Sequence, residues 1–281
     1  MGDGKYYFYS SVAKQALAAM DQKKEAVDIS VDLNKSTKTF SMSKNELILD
    51  SINKLNRHQL LYLSKKENKI FVLKDNELKT LEFRHHGYYK LVPTERAPTV
   101  EINGVKMHRS KGINPFADAE QKAKEVIKKG HRVLDTCGGL GYTAIWALRK
   151  GAREVLSVEY DESILKLREQ NPWSKDLYNK RIKLVNADIS RFIEDLESES
   201  FDSILHDPPR LSLAGELYGE KFYAELYRVL VKGGGLFHYT GNPHLVRRGN
   251  AFLVNVARRL KSVGFRKVLL REYLLGVKVI K

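Results

Sequence analysis

The chain has 281 residues, 42% hydrophobic and 30% charged, with a net charge of +15, long enough for one large domain or two modest ones around a sizeable core. Its single cysteine, Cys137, excludes an internal disulfide and any multi-cysteine zinc site. No apolar run approaches bilayer-spanning length and the opening MGDGKYYFYS lacks a basic-then-apolar leader, so the expected location is cytoplasmic, with no membrane partner.

Residues 1–110 read as a smaller N-terminal α+β domain. "SSVAKQALAAM" predicts a helix capped by Ser10 or Ser11. "AVDISVDLN" alternates Val27, Ile29, Val31 and Leu33 with polar residues, the period of a strand. "KIFVLKDNELKTLEF" predicts two strands joined at Asp75-Asn76. Pro93 and Pro98 bracket an expected linker, "VPTERAPTVEING". This segment holds 19 Lys/Arg against 13 Asp/Glu.

From about residue 112 the rhythm becomes strand–helix alternation. "HRVLDTC" runs into glycines and the helical "YTAIWALRK"; "EVLSVEY" precedes "DESILKLREQN"; "RIKLVNAD" precedes "ISRFIEDL"; "FDSILHD" precedes "ELYGEKFYAELYRVLV"; "GLFHYTG" precedes "NAFLVNVARRLKSVGF". The chain closes with "KVLLREY" and "LLGVKVIK", with no helix between them. Residues 111–281 therefore predict an α/β domain with a Rossmann-like, mostly parallel seven-stranded sheet covered on both faces, ending in an antiparallel hairpin. Charge is balanced over residues 111–243, but residues 244–281 carry ten Lys/Arg, including Arg247-Arg248, Arg258-Arg259 and Arg266-Lys267, against one acid, Glu272. Such a patch attracts a polyanion by counterion release, which makes nucleic acid the leading partner class.

In a parallel sheet, ligands bind at the carboxyl ends of the strands. The first strand ends in "LDTCGGLGYT", where Gly138, Gly139 and Gly141 let backbone approach a ligand and open a helix N-terminus toward it. From Gly139 the spacing reads G-L-G-Y-T-A, which a dinucleotide tolerates, but Asp135 just upstream would repel a phosphate. The second strand ends at Glu159, placed to accept hydrogen bonds from ribose hydroxyls, and the third at Asp188, placed to meet an adenine amino group. Each acid alone is equally a helix cap, and the glycines alone a tight turn. Their succession at strand ends points to a ligand. The fourth strand ends in "HDPPR": two prolines stiffen the backbone behind Asp207. His85-His86 lacks a third ligand, so no metal site is assigned. Cys137 reads as a small packing residue, and His206 and His238 as buried groups beside the strand ends.

"VLDTCGGLGYTA", "VEYD", "NADI" and "HDPPR", in that order and spacing, resemble the class I S-adenosylmethionine-dependent methyltransferases, and the whole-chain layout resembles a group of predicted archaeal methyltransferases. The resemblance covers residues 112–281. It implies a cofactor site of Asp135, Thr136, Gly138, Gly139, Gly141, Tyr142, Thr143, Glu159, Tyr160, Asp188 and Ile189, with Asp135 near the cofactor ammonium, Glu159 on the ribose and Asp188 with the Ile189 backbone on the adenine. An Asp-Pro-Pro-aromatic motif at this strand end belongs to enzymes that methylate amino nitrogens, and implies catalytic roles for Asp207, Pro208 and Pro209. An exocyclic amine is a poor nucleophile; the Asp207 carboxylate and Pro208 carbonyl would accept its N–H groups and aim the nitrogen. This chain departs from the pattern at Arg210, where the stacking aromatic normally stands. Arg210 itself, Phe116, Tyr142 or Tyr239 is then the candidate to meet the base, with Arg247 and Arg248 as candidate phosphate contacts.

The expected enzyme is an RNA N-methyltransferase, with N4 of a ribosomal RNA cytidine favoured, the N-terminal domain recognising RNA, and the target base leaving its stack to reach Asp207. Guanosine N2 of transfer RNA is the close competitor. DNA, a protein glutamine, a non-catalytic cofactor-binding RNA assembly factor and a Rossmann dehydrogenase complete the alternatives.

Overall fold

A computed structural model describes residues 4–241 and 251–281. The chain forms two compact units, 1–115 with 169–173, and 116–168 with 174–281. The boundary expected at 110/111 thus falls five residues later, and residues 169–173 join the N-terminal unit. The reason is local: the Trp173 indole donates to the Leu33 carbonyl across 2.7 Å, and Lys35 Nζ donates to the Pro172 carbonyl across 2.9 Å.

The N-terminal unit contains three small antiparallel sheets and two helices, Ser10–Asp21 and Arg57–Ser64. The hairpin expected at Asp75-Asn76 forms between Phe71–Lys74 and Glu77–Thr80, with both turn residues at positive φ, 51° and 59°, the geometry that matches strand twist. Two expectations fail. Tyr9 precedes the first helix with no side-chain cap, and the Ser10 hydroxyl instead donates to the Ser64 carbonyl at 2.8 Å. The expected linker is also a folded hairpin: Thr99–Ile102 pairs with Val105–Lys106 and with Tyr88–Val92. Asn103-Gly104, at φ 48° and 83°, is a two-residue turn signal that the bracketing prolines masked.

The second unit is built on one seven-stranded sheet. Its strands are β1 (Arg132–Asp135), β2 (Glu154–Glu159), β3 (Ile182–Asn186), β4 (Phe201–His206), β5 (Leu230–Tyr239), β6 (Arg266–Arg271) and β7 (Gly276–Ile280). Their order is β3-β2-β1-β4-β5-β7-β6. The five strands from β3 to β5 are parallel; β7 pairs antiparallel with both β5 and β6, leaving β6 at the edge. The helices are α1 (Pro115–Val126), α2 (Tyr142–Arg149), α3 (Glu162–Glu169), α4 (Ile189–Phe192), α5 (Glu220–Val229) and α6 (Ala251–Ser262). Proline at the first position of α1 costs no hydrogen bond there and presets φ. On α5, Phe222, Tyr223, Leu226 and Val229 make one buried face against the sheet. Among the described residues no helix is long and apolar enough to cross a membrane.

One topological fact positions the site. The chain runs outward from β1 through β2 to β3, then returns to β4 on the other side of β1. The crevice at this reversal, outside the carboxyl ends of β1 and β4, is where a doubly wound sheet leaves room for a ligand.

Candidate active site

β1 ends at Asp135, fully buried, whose two carboxylate oxygens accept hydrogen bonds from Thr143 Oγ1 at 2.9 Å and Ser157 Oγ at 2.8 Å. Burial pushes this carboxyl up to about 6, against the opposing effect of those two hydroxyls and the Arg168 guanidinium. The loop then folds tightly onto β2. Gly138 N–H donates to the Val158 carbonyl at 2.8 Å, and a Cβ on Gly138 would collide with Ser157 Oγ. Gly139 N–H donates to Glu159 Oε2 at 2.7 Å. Gly141, at φ 83°, opens α2, and a Cβ there would meet Leu177. Gly138 and Gly141 are therefore required by packing as well as by any ligand.

Glu159 ends β2. Its carboxylate accepts from Gly139 N–H and, at 2.9 Å, from Asp161 N–H, so the glycine loop and the β2 end are tied together. Burial raises its carboxyl above the ordinary range, opposed by those bonds and by Arg168. Tyr160 beside it is 72% exposed. Asp188 caps α4, accepting from Ser190 N–H and Oγ at 2.9 and 2.8 Å, with Ile189 buried beneath. The cap role is real, and it leaves the Asp188 Oδ2 atom outside that pair of bonds.

β4 ends in buried His206, followed by Asp207. His206 is pushed down to about 4 by burial, so its ring is neutral. Its Nε2 faces the Leu217 carbonyl at 3.0 Å and so carries the proton, leaving Nδ1 to accept from Thr136 Oγ1 at 2.7 Å. Thr136 thus braces β1 against β4. Pro208 is buried, Pro209 and Arg210 exposed. The Tyr218 hydroxyl donates to the Pro209 carbonyl at 2.8 Å. By contrast, neither Oδ1 of Asp207 nor the Pro208 carbonyl oxygen accepts a hydrogen bond among the described residues. Two adjacent acceptors are left open at the end of a stiffened turn.

The three acids converge. Cys137, in the glycine loop, feels Glu159, Asp135 and Asp207 together; burial first, then these carboxylates, drive its thiol well above the ordinary range. That keeps the thiol protonated and unsuited to nucleophilic work. A site lined by three carboxylates favours a cationic ligand and repels a diphosphate, so the donor set fits a sulfonium cofactor.

The candidate aromatics separate. Phe116, in α1, is buried with its ring 5.5 Å from Tyr142 and 5.1 Å from Trp146, and Tyr142 is itself buried. Both rings are core, which removes them as stacking partners; α1 starts at Pro115 and turns residue 116 inward. Tyr239 ends β5 with the Lys122 ammonium 3.8 Å from its ring centroid. Arg210 is exposed without an ion pair among the described residues. Arg247 and Arg248 lie outside the described residues.

Sequence reasoning missed Lys122. From α1 its ammonium sits 2.6 Å from Asp207 Oδ2 and 2.9 Å from Asp118 Oδ2. The pair Asp118–Lys122 has i,i+4 spacing, which in a charged helix reads as an exposed ion pair. Only the buried flanks Phe116, Ala119 and Ala123 hint that this face turns inward.

Comparison with known proteins adds a family. The family described as "Conserved hypothetical protein 95" matches residues 115–217. The uncharacterized protein MJ1233 of Methanocaldococcus jannaschii is 42% identical over 98% of this chain and 95% of its own length. A ribosomal RNA large subunit methyltransferase I from Aeromonas hydrophila is 28% identical over 54% of this chain, and only 42% of that relative is spanned. Among solved structures, spermidine synthase from Thermotoga maritima superposes with a TM-score of 0.55 at 14% identity, over 98% of this chain and 78% of that one; the likeness is one of fold.

Proposed function

The chain belongs to the family of the uncharacterized protein MJ1233, and from that premise and the acid-lined strand edge we propose an S-adenosylmethionine-dependent methyltransferase that modifies an exocyclic amino group of a nucleobase in RNA, with N4 of a ribosomal RNA cytidine as the target. The observation that carries this reading is the pair of open acceptors, Asp207 Oδ1 and the Pro208 carbonyl, in the crevice beside Asp135. An amino group presents two N–H donors, and two adjacent acceptors at a rigid turn are its complement. The ribosomal RNA methyltransferases that match the catalytic segment support RNA as the substrate class.

Bound S-adenosylmethionine supplies a methyl group on a sulfonium and leaves as a neutral thioether. Asp135 and Glu159 offer it opposite charge, Glu159 toward the ribose, and Asp188 with the Ile189 backbone toward the adenine. Tyr160, exposed at the end of β2, is free to cover the adenine face. Asp207 Oδ1 and the Pro208 carbonyl accept the two amino hydrogens and turn the nitrogen toward the methyl, a gain of orientation rather than of acidity. The proton that the alkylated nitrogen sheds is taken at Asp207 Oδ1. Pro208 and Pro209 hold the acceptors in place, and Tyr218 fixes the carbonyl behind them. Arg210 is available to stack on the base through its planar guanidinium or to hold a phosphate.

The test is mass spectrometry of nucleosides from ribosomal and transfer RNA incubated with protein and cofactor. N4-methylcytidine in ribosomal RNA is expected; N2-methylguanosine in transfer RNA would move the target base. Asp207→Ala should abolish transfer and spare cofactor binding. Label entering protein or DNA alone, or no transfer to any RNA, would overturn the reading.

A further inference from the structure

Lys122 is 3% exposed and its partner Asp118 is 2% exposed. A lysine withdrawn from water to that degree is costly unless its charge is matched, and Asp118, one helical turn back on α1, already matches it. The ammonium nevertheless reaches 85 residues along the chain to Asp207 Oδ2, at the shortest distance of the cluster, 2.6 Å, with the Tyr239 ring beneath it. Its contacts therefore join α1 to the ends of β4 and β5, at the one acid that the proposed chemistry uses.

We propose that Lys122 is a positioning residue for Asp207: by occupying Oδ2 it fixes the carboxylate plane, leaves Oδ1 as the only oxygen for the target amino group, and keeps the carboxylate charged. This rests on the proposed amino-methyltransferase reading. The charge matters because Asp207 stands among acids. Asp118 from α1 and Asp135 from β1 repel its ionised form, and the Cys137 thiol and Tyr218 and Tyr239 hydroxyls around it offer no positive charge. Burial pushes the Asp207 carboxyl up, and Lys122 opposes that through both its charge and its hydrogen bond. Asp207 and Asp118 in turn raise Lys122 above the ordinary lysine range, so the ammonium stays protonated throughout the working range. A protonated Asp207 would lose an acceptor and could not take up the proton that the product sheds.

The experiment compares wild type with Lys122→Met, Lys122→Arg and Asp118→Asn in the full chain. Three readouts are needed: kcat and KM on RNA against pH, binding of S-adenosylhomocysteine, and the Asp207 carboxyl titration by 13C NMR of aspartate-labelled protein, assigned with Asp207→Asn. In Lys122→Met the carboxyl titration and the acidic limb of the kcat profile should both move up by about one pH unit or more. At neutral pH kcat then falls about tenfold or more, recovering at higher pH, while KM and S-adenosylhomocysteine affinity change less. Lys122→Arg should restore most of the wild-type profile. Asp118→Asn, which leaves Lys122 wholly to Asp207, should move both midpoints down, and it keeps the idea testable if Lys122→Met does not fold. A folded Lys122→Met with an unmoved carboxyl titration, or a loss of kcat equal at every pH, overturns the proposal. Failure of the wild type to methylate any RNA would instead overturn the functional reading, because the NMR titration reports the Lys122–Asp207 coupling without turnover.

Discussion

The Tyr218 hydroxyl donates to the Pro209 carbonyl oxygen across 2.8 Å, from a ring that is almost completely buried and packs 5.2 Å from His238. The turn behind Asp207 is thus held by a side chain nine residues downstream, as well as by its own prolines. Tyr218→Phe keeps the ring and deletes only the donor. It should cost about 1 kcal/mol in stability, read as a shift of urea midpoint at constant slope. Because the freed carbonyl lets Asp207 drift, kcat should fall several-fold more than cofactor affinity does. A variant with unchanged kcat would show that the prolines suffice.

Asp135 gives a prediction with a definite sign. Its carboxyl titrates at about 6 in the folded chain against an ordinary 3.8, because burial disfavours the charge. Between those values the folded state holds a proton that the unfolded state has released, so this group's contribution is fully present below pH 3.8 and is lost as pH rises through 6. Replacing it with a neutral isostere removes that loss. Asp135→Asn should match wild type in stability near pH 4 and exceed it by about 3 kcal/mol at pH 7, while binding cofactor more weakly at pH 7. Denaturation at both pH values checks it; a variant less stable at pH 7 than at pH 4, relative to wild type, contradicts the cause given.

Much of the catalytic unit was legible because short buried strands alternate with amphipathic helices, and each strand end carried an unusual residue: Asp135, Glu159, Asp188, Asp207. Periodicity and turn chemistry are local properties, so they survive in sequence. What stayed hidden was pairing at long range. Lys122 finds Asp207 only once α1 has docked, and the Tyr218 and Leu217 contacts to Pro209 and His206 depend on how the short helical turn Gly215–Tyr218 folds back. Composition also misled. Prolines 93 and 98 suggested a linker where Asn103-Gly104 closes a hairpin, and the apparent ring supply at Phe116 and Tyr142 was core.

The glycine loop offers a stringent substitution. Gly141 sits at φ 83° and a Cβ on it would lie 2.5 Å from Leu177 Cδ2. Gly141→Ala should therefore cost about 2 kcal/mol or more, from left-handed backbone strain and overpacking together. Since this residue opens α2 and α2 carries Thr143, whose hydroxyl holds Asp135, cofactor affinity should fall with it. Leu177→Ala in the same chain makes room for the methyl and should recover the packing part but not the strain. Calorimetric binding and thermal denaturation of the single and double variants separate the two.

Cations on α6 and the sheet edge bear on how RNA is held. Arg258, Lys261, Arg266 and Lys267 are exposed and none forms an ion pair among the described residues. Surface lysines usually pair with nearby acids or solvate singly, but these four cluster where the segment offers one acid, Glu272. If each meets a phosphate, RNA affinity should fall steeply with salt, and changing all four to Gln should flatten the plot of log affinity against log salt by about one unit for each phosphate no longer neutralised. Such cations position RNA without reading bases, so the weakening should be alike for target and non-target RNA, and kcat at saturating RNA should hold. These residues lie away from the acid-lined crevice, so cofactor affinity should not change. An unaltered salt slope would assign RNA binding elsewhere, and the 19 Lys/Arg of residues 1–110 would be the next to neutralise.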